Sequence, residues 1–165
     1  MARQVLHHKK SKDMKIDKIP ELLTSFGYTT VPIRQNTAGQ LIIEAKINSV
    51  AGSYILDTGA GTTVIDAKQA DTLKLILNHQ ETAFTGGGVG AHGMENIPSH
   101  NNTIEIGNYK LSNLSVAVMP LDTAWQSLAS IGAHEELFGF IGFDILKSGN
   151  AIIDYGSMTL YLIQQ

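Results

Sequence analysis

The sequence contains no cysteine and no long apolar run. The absence of cysteine excludes a disulfide framework, a zinc ribbon and a cysteine nucleophile, although it leaves the redox compartment open. No apolar stretch approaches the roughly 18 residues that span a bilayer, so we expect no membrane partner. With 43% hydrophobic and 16% charged residues, the composition is globular rather than disordered. The length of 165 residues fits a single domain.

The net charge of −3 is unevenly distributed along the chain. Residues 1–19 contain six basic and two acidic residues, so this segment carries +4 and the remainder carries −7. A basic arm can bind nucleic acid, but it is also typical of a solvated terminus, and we expect no nucleic-acid partner. The arm lacks the apolar stretch of a signal peptide. We therefore expect a cytoplasmic protein, or a periplasmic one if a signal segment was removed.

The pattern of turns and apolar runs divides the chain at about residue 28. Residues 1–28 are predicted to form a basic arm that ends in a short helix, Pro20–Phe26, which is closed by Gly27. Residues 29–165 contain many short β-type runs separated by turn signals, which indicate a closed or sandwiched antiparallel β domain. Three further helical segments are predicted within it: Asp66–Leu75, Asp122–Ile131 and Phe143–Lys147.

The most informative segment is Tyr54–Ile65, in which an apolar strand ends abruptly at Asp57 and continues as Thr58-Gly59-Ala60. A carboxylate directly after a hydrophobic strand is only partly solvated, so neighbouring groups can move its pKa. The glycine permits close approach of another backbone, and the threonine offers a hydroxyl that can fix the loop. Without its flanking residues, an Asp-Thr-Gly sequence would also be compatible with an ordinary β-turn.

The whole segment resembles the active-site signature of retropepsin-like aspartic proteases, in which two apolar residues precede Asp-Thr/Ser-Gly-Ala and a threonine and another apolar pair follow. The matching residues are Ile55, Leu56, Asp57, Thr58, Gly59, Ala60, Thr62, Thr63, Val64 and Ile65. A second family element, two apolar residues and a glycine that open a short helix, is matched by Phe140-Ile141-Gly142. A glycine-rich hairpin of the family, the flap, is matched at about residues 83–97. The resemblance covers about residues 29–163, and such a short single-domain chain looks bacterial.

The resemblance implies a mainly β fold, a closed antiparallel β-barrel of the acid-protease type with one or two short helices, active as a homodimer. Peptide hydrolysis needs one group to take a proton from water and another to protonate the carbonyl oxygen, and two carboxylates that share a proton supply both roles. This chain has one Asp-Thr-Gly, whereas bilobal relatives carry two signatures and run about twice this length. The second Asp57 is therefore expected from another copy of the chain. The expected activity is that of an aspartic endopeptidase, without cofactor or metal, on an extended peptide or protein.

The resemblance also assigns roles to single residues. Asp57 holds the catalytic water, Thr58 bonds to the partner's loop, and Gly59 and Ala60 leave room for the substrate backbone. The flap residues that bend over the substrate and offer it N–H groups are Gly86, Gly87, Gly88, Val89 and Gly90. The hydrophobic support under the loop is Phe140, Ile141 and Gly142. The candidate walls of the substrate pockets are Ile55, Val64, Val89 and Ile141.

Several alternatives remain open from the sequence. Residues 120–138 form a helical insertion that viral members lack, and it could line the outer cleft, restrict substrate length or strengthen the dimer. The chain could also be a catalytically silent peptide-binding module, since a fold does not fix a function, or a latent enzyme whose basic arm is removed. His134-Glu135-Glu136 is not a His-Glu-x-x-His zinc motif, and Asp154 is interpreted as a structural strand-end carboxylate.

Overall fold

The computed structural model describes residues 18–81, 83–85 and 94–164, of which residues 83–85 and 94 are described by their backbone alone. Three α-helices lie in these ranges: α1 (Ile19–Ser25), α2 (Asp122–Ser130) and α3 (Phe143–Ser148). The first strands are β1 (Tyr28–Pro32), β2 (Arg34–Gln35), β3 (Leu41–Ile47), β4 (Val50–Leu56), β5 (Val64–Asp66) and β6 (Ala83–Thr85). The later strands are β7 (Met94–Ile106), β8 (Tyr109–Met119), β9 (Gly139–Ile141), β10 (Ile152–Asp154) and β11 (Thr159–Ile163).

Six strands close into a barrel in the order β3–β4–β9–β5–β8–β7, and β7 returns to β3 through Lys46↔Glu105 and Ile47↔Ile104. Four of these joins are antiparallel. The joins β4–β9 and β5–β8 are parallel. The predicted closed β-barrel is confirmed, and its two parallel joins are the feature that hairpin spacing in the sequence could not reveal. The first arises because β9, from a distant part of the chain, is inserted between β4 and β5, and the second because β8 runs parallel to β5 on its other side.

A separate three-stranded sheet has the order β1–β11–β10, with both joins antiparallel. The first strand after the arm therefore pairs with the last strand of the chain, and Tyr28 lies opposite Ile163. Since β10 follows α3 directly, this sheet lies next to the helix that supports the candidate site. Its outer strands among the described residues are β1 and β10.

Side chains that point alternately to the two faces of the strands form two apolar clusters, the main core and a second, smaller cluster. On β3, Ile43, Ala45 and Ile47 are buried in the main core, while Glu44 and Lys46 between them are exposed. The side chains of successive strand residues point to opposite faces, and the main core continues into α3. The second cluster contains Ile42, Ile55, Leu137, Trp125, Leu128 and Phe140.

The helices predicted at Pro20–Phe26, Asp122–Ile131 and Phe143–Lys147 are present as α1, α2 and α3. The helix predicted at Asp66–Leu75 is wrong, because that stretch forms a 3₁₀ helix at Ala67–Gln69 followed by turns. Lys74 adopts a positive φ of 57°, which ends any helix there. The described residues include no helix long and apolar enough to cross a membrane.

Candidate active site

The parallel ladder between β4 and β9 positions Asp57. Leu56 lies opposite Ile141, and the Asp57 N–H extends the ladder by donating to the Ile141 carbonyl at 3.0 Å. The alternation of side chains between the two faces of the strand therefore continues to Asp57. Its half-buried side chain points to the face opposite that of Leu56. The Gly59 N–H donates to Asp57 Oδ1 at 2.8 Å, which fixes the carboxylate above its own loop. Asp57 thus directly follows a barrel strand, with one carboxylate oxygen hydrogen-bonded to its own loop and the side chain partly accessible.

The segment from β9 into α3 supports the Asp57 loop from below. The Phe143 N–H donates to the Ala60 carbonyl at 2.7 Å. A Cβ on Gly142 would lie 2.6 Å from the Thr62 carbonyl carbon and oxygen and 2.9 Å from the Ala60 oxygen. Only glycine lets these two backbones approach so closely. The structure thus brings the two predicted elements, Asp57–Ala60 and Phe140–Gly142, into direct contact.

Asp144 is a residue of this site that the sequence interpretation missed. Its Oδ1 accepts the Thr63 hydroxyl at 2.8 Å, and its Oδ2 accepts the Thr63 N–H at 2.9 Å and the Thr62 hydroxyl at 3.3 Å. The Thr63 hydroxyl in turn accepts the Gly142 N–H at 3.2 Å. The sequence contains a signal for this role: an acidic residue stands two positions after Gly142, and two threonines that can donate to it follow the Asp-Thr-Gly-Ala loop.

Thr58 is exposed and lies at the rim of a hollow of about 330 Å³. Phe143 is 51% exposed, and the Lys147 ammonium lies 5.7 Å from the centroid of its ring. The other lining residues are Leu146, Asn150, Ala151 and Ile153. The Asp57 loop therefore borders an open, largely apolar surface of the protomer.

Two of the predicted pocket walls are buried in the protomer. Ile141 is fully buried in the main core and is thus corrected to a core residue. Ile55 is only 4% exposed and packs in the second cluster with the half-buried Phe140. Val64 and Phe140 remain half-buried.

The flap lies partly outside the described residues. β6 pairs antiparallel with the start of β7, with Ala83 opposite Asn96 and Thr85 opposite Met94. Paired strands therefore border both ends of the predicted flap. Its glycines and Val89 fall outside the described residues; they are Gly86, Gly87, Gly88, Val89 and Gly90.

Asp154 has the structural bonds expected of it. Its carboxylate accepts the Ser157 hydroxyl at 2.8 Å and the Gly156 and Ser157 N–H groups at 2.8 and 3.3 Å. These hydrogen bonds, that of the hydroxyl first, lower the pKa of Asp154 below its usual value. Asp154 therefore fixes the turn between β10 and β11. Within the described part of the chain, no group of three or more His, Asp or Glu residues is placed to hold a metal ion.

The family model described as "Aspartyl protease" matches residues 43–145, which run from β3 into α3 and include both Asp57 and Asp144. The fold is similar to that of a retropepsin-like aspartic protease from Rickettsia conorii, with a TM-score of 0.53 and 21% identity over 82% of this chain and 89% of that chain. It is also similar to the retroviral protease-like domain of Ddi1 from Leishmania major, with a TM-score of 0.51 and 18% identity over 74% of this chain and 87% of that chain. A search of curated protein sequences found no match. The predicted retropepsin-like fold is confirmed.

Proposed function

Because this chain belongs to the aspartyl protease family, we propose that it is an aspartic endopeptidase in which two Asp57 carboxylates, one from each subunit of a homodimer, activate a water molecule. The observation that carries the proposal is the placement of Asp57. Its carboxylate stands at the end of a barrel strand, half-buried, and one oxygen accepts the Gly59 N–H at 2.8 Å. A carboxylate that is fixed in this way and partly exposed can pair with a second carboxylate.

The chemistry requires that second carboxylate. Two carboxylates a few ångströms apart cannot both ionise, so the pair keeps one proton and titrates with two apparent pKa values that belong to the pair. The ionised member takes a proton from water as the water attacks the peptide carbonyl, and the protonated member donates its proton to the carbonyl oxygen. The chain has a single Asp-Thr-Gly. The second Asp57 therefore comes from a second copy.

The surface around Thr58 supports docking of that copy. The lining of the hollow beside Thr58 includes Phe143, Leu146 and Ile153, and the burial of the half-exposed Phe143 by a second copy would be favourable. Next to it, β10 is an outer strand of its sheet among the described residues, and such an edge can pair with another chain. We propose that the two-fold axis passes through this region, so that each Thr58 hydroxyl bonds to the partner's loop.

The proposed substrate is an extended peptide in a protein or polypeptide. Gly59 and Ala60 leave space for its backbone, and the Gly59 carbonyl accepts a substrate amide. The flap residues Gly86–Gly90 close over it and offer N–H groups to its carbonyls, which excludes water from the site. An extended chain presents alternate side chains to the cleft walls, and we propose a preference for apolar residues on both sides of the cut bond.

Cleavage of a diverse peptide mixture by the full chain tests the proposal. Wild type, Asp57→Asn and a matched control, Asp71→Asn, are compared by mass spectrometry from about pH 4 to about pH 7, a range in which a shared proton supports activity. Asp71 is an exposed aspartate outside the site. The expected result is a set of cuts that Asp71→Asn retains and Asp57→Asn loses.

Two outcomes contradict the proposal. If Asp57→Asn cleaves as wild type does, Asp57 is not the catalytic group. If a dimeric wild type cuts no peptide but binds extended peptides, the chain is instead the silent binding module.

A further inference from the structure

Helix α2 covers an apolar row on the outer face of the barrel. In the strand register, Ile42 lies opposite Ile55, Ile55 opposite Phe140, and Phe140 opposite Val64. Their strand neighbours, such as Leu56 and Ile141, face the main core instead. Alternation therefore places the four residues of this row together on the other face.

The same face carries the catalytic carboxylate. Asp57 follows Ile55 by two residues on a ladder that the Asp57 N–H continues to Ile141. Two residues along a strand span roughly 7 Å. The apolar row thus begins at Ile55, the next residue on the same face of the strand as Asp57. A side chain of a substrate bound at Asp57 can reach this row.

Trp125 anchors α2 on this row. Its indole stacks on the Phe140 ring, with centroids 5.4 Å apart and an interplanar angle of 17°. The indole N–H donates to Asp66 Oδ2 at 2.6 Å, and Asp66 is 2% exposed. Leu128, one turn further along α2, packs in the same cluster. An ion pair between Lys68 and Asp122 joins the start of α2 to the 3₁₀ helix that follows β5.

The stacked rings are not sealed from solvent. Trp125, Leu128 and Phe140 are all half-buried, whereas Ile42 and Ile55 beneath them are buried. The row is therefore buried at Ile42 and Ile55 and partly exposed at its aromatic side chains, where an apolar group of a substrate can pack.

We propose that α2, through Trp125 stacked on Phe140, forms the wall of the apolar subsite beside Asp57 and limits the size of the substrate side chain accepted there. This inference rests on the proposed function and assigns Trp125 as a specificity-determining residue. Removal of the Trp125 indole leaves an empty space on the face of the Phe140 ring on which it stacks. The Phe140 ring can then move into this space, and the subsite accepts a larger side chain.

The test uses two peptides that differ at a single position next to the cut bond. That residue is valine in one peptide and phenylalanine in the other. In Trp125→Ala we expect the ratio of kcat/KM for the phenylalanine peptide to that for the valine peptide to rise about tenfold or more, since small changes in a hydrophobic pocket have effects of this size. Trp125→Phe keeps a ring on Phe140 and should change the ratio much less. Leu111→Ala is the matched control, because Leu111 packs partly buried against the main core and its truncation lowers stability with no change in the ratio.

Trp125 is the only tryptophan of the chain, so its fluorescence gives a second measurement. Titration of Asp57→Asn with the wild-type substrate should shift or quench the emission as the peptide fills the subsite. An unchanged ratio in Trp125→Ala, with wild type still cleaving, overturns the inference and leaves the proposed function standing. An emission that stays constant while calorimetry records peptide binding to Asp57→Asn also overturns it. A wild type that cleaves nothing refutes the proposed function and this inference together.

Discussion

The Asp144 carboxylate holds Thr63 at two points, accepting its hydroxyl at 2.8 Å and its N–H at 2.9 Å across 81 positions of sequence. Thr63 is completely buried, and its hydroxyl also accepts the Gly142 N–H. The loop that carries Asp57 is therefore attached to the start of α3 by charge-assisted hydrogen bonds, which are stronger than neutral ones.

Asp144→Asn is expected to lower both stability and activity. The amide can accept at only one of its two terminal atoms, so one Thr63 donor loses its partner in a buried place, at a cost of about 1–3 kcal/mol in the free energy of unfolding. Urea unfolding measures this cost, with Asp71→Asn as the exposed control. We expect kcat/KM to fall even where the variant is fully folded, because the Asp57 loop shifts; a folded variant with wild-type kcat/KM would contradict the role assigned to Asp144.

Gly142→Ala is expected to be among the most disruptive small substitutions in the chain. The added methyl group would lie 2.6 Å from the backbone of Thr62. Overpacking of this kind costs about 1–3 kcal/mol or more. Gly61→Ala is the matched stability control, since a Cβ there meets nothing within 4 Å among the described residues. Thermal unfolding should separate the two variants clearly, and equal midpoints would contradict the close approach of Gly142 to Thr62.

Tyr54→Phe is expected to keep or raise stability, although Tyr54 is fully buried. Its hydroxyl has no hydrogen-bond partner within the described ranges. Burial, and then the charge of Glu44, raise the pKa of Tyr54 well above its usual value. Removal of an unsatisfied hydroxyl relieves a desolvation penalty while the ring keeps its packing on Phe138. Tyr28→Phe is the contrast, because the Tyr28 hydroxyl donates to the Asn150 carbonyl at 3.2 Å. A marked loss of stability in Tyr54→Phe alone would contradict the prediction.

Asp154 is expected to make stability fall in acid. Its folded-state pKa is lower than the unfolded value of about 3.8, so its contribution is complete above that value and is lost as the pH falls through the lower folded pKa. The difference in unfolding free energy between wild type and Asp154→Asn should therefore be largest near neutral pH and shrink below about pH 4. Urea unfolding at a series of pH values measures it, and a difference that grows in acid would have the wrong sign.

The sequence singled out those parts of the candidate site that depend on local chemistry. Asp57 was identifiable because an apolar strand runs directly into Thr-Gly-Ala, and Gly142 because two apolar residues and a helix start surround it. Asp144 was missed, since its role depends on a threonine 81 positions away that the pairing of β9 with β5 brings near. The buried state of Ile141 was missed for a similar reason: an apolar residue beside a catalytic loop can face either side of a barrel, and the strand register decides which.

The central claim is that one active site takes an Asp57 from each of two chains. Wild type and Asp57→Asn chains, unfolded together and refolded at varied ratios, test it directly through the cleavage rate per total protein. If each site needs both carboxylates, activity falls with the square of the wild-type fraction, to about one quarter at an equal mixture in which subunits pair at random. A linear fall, to about one half at an equal mixture, would mean that one chain is sufficient and would contradict the account.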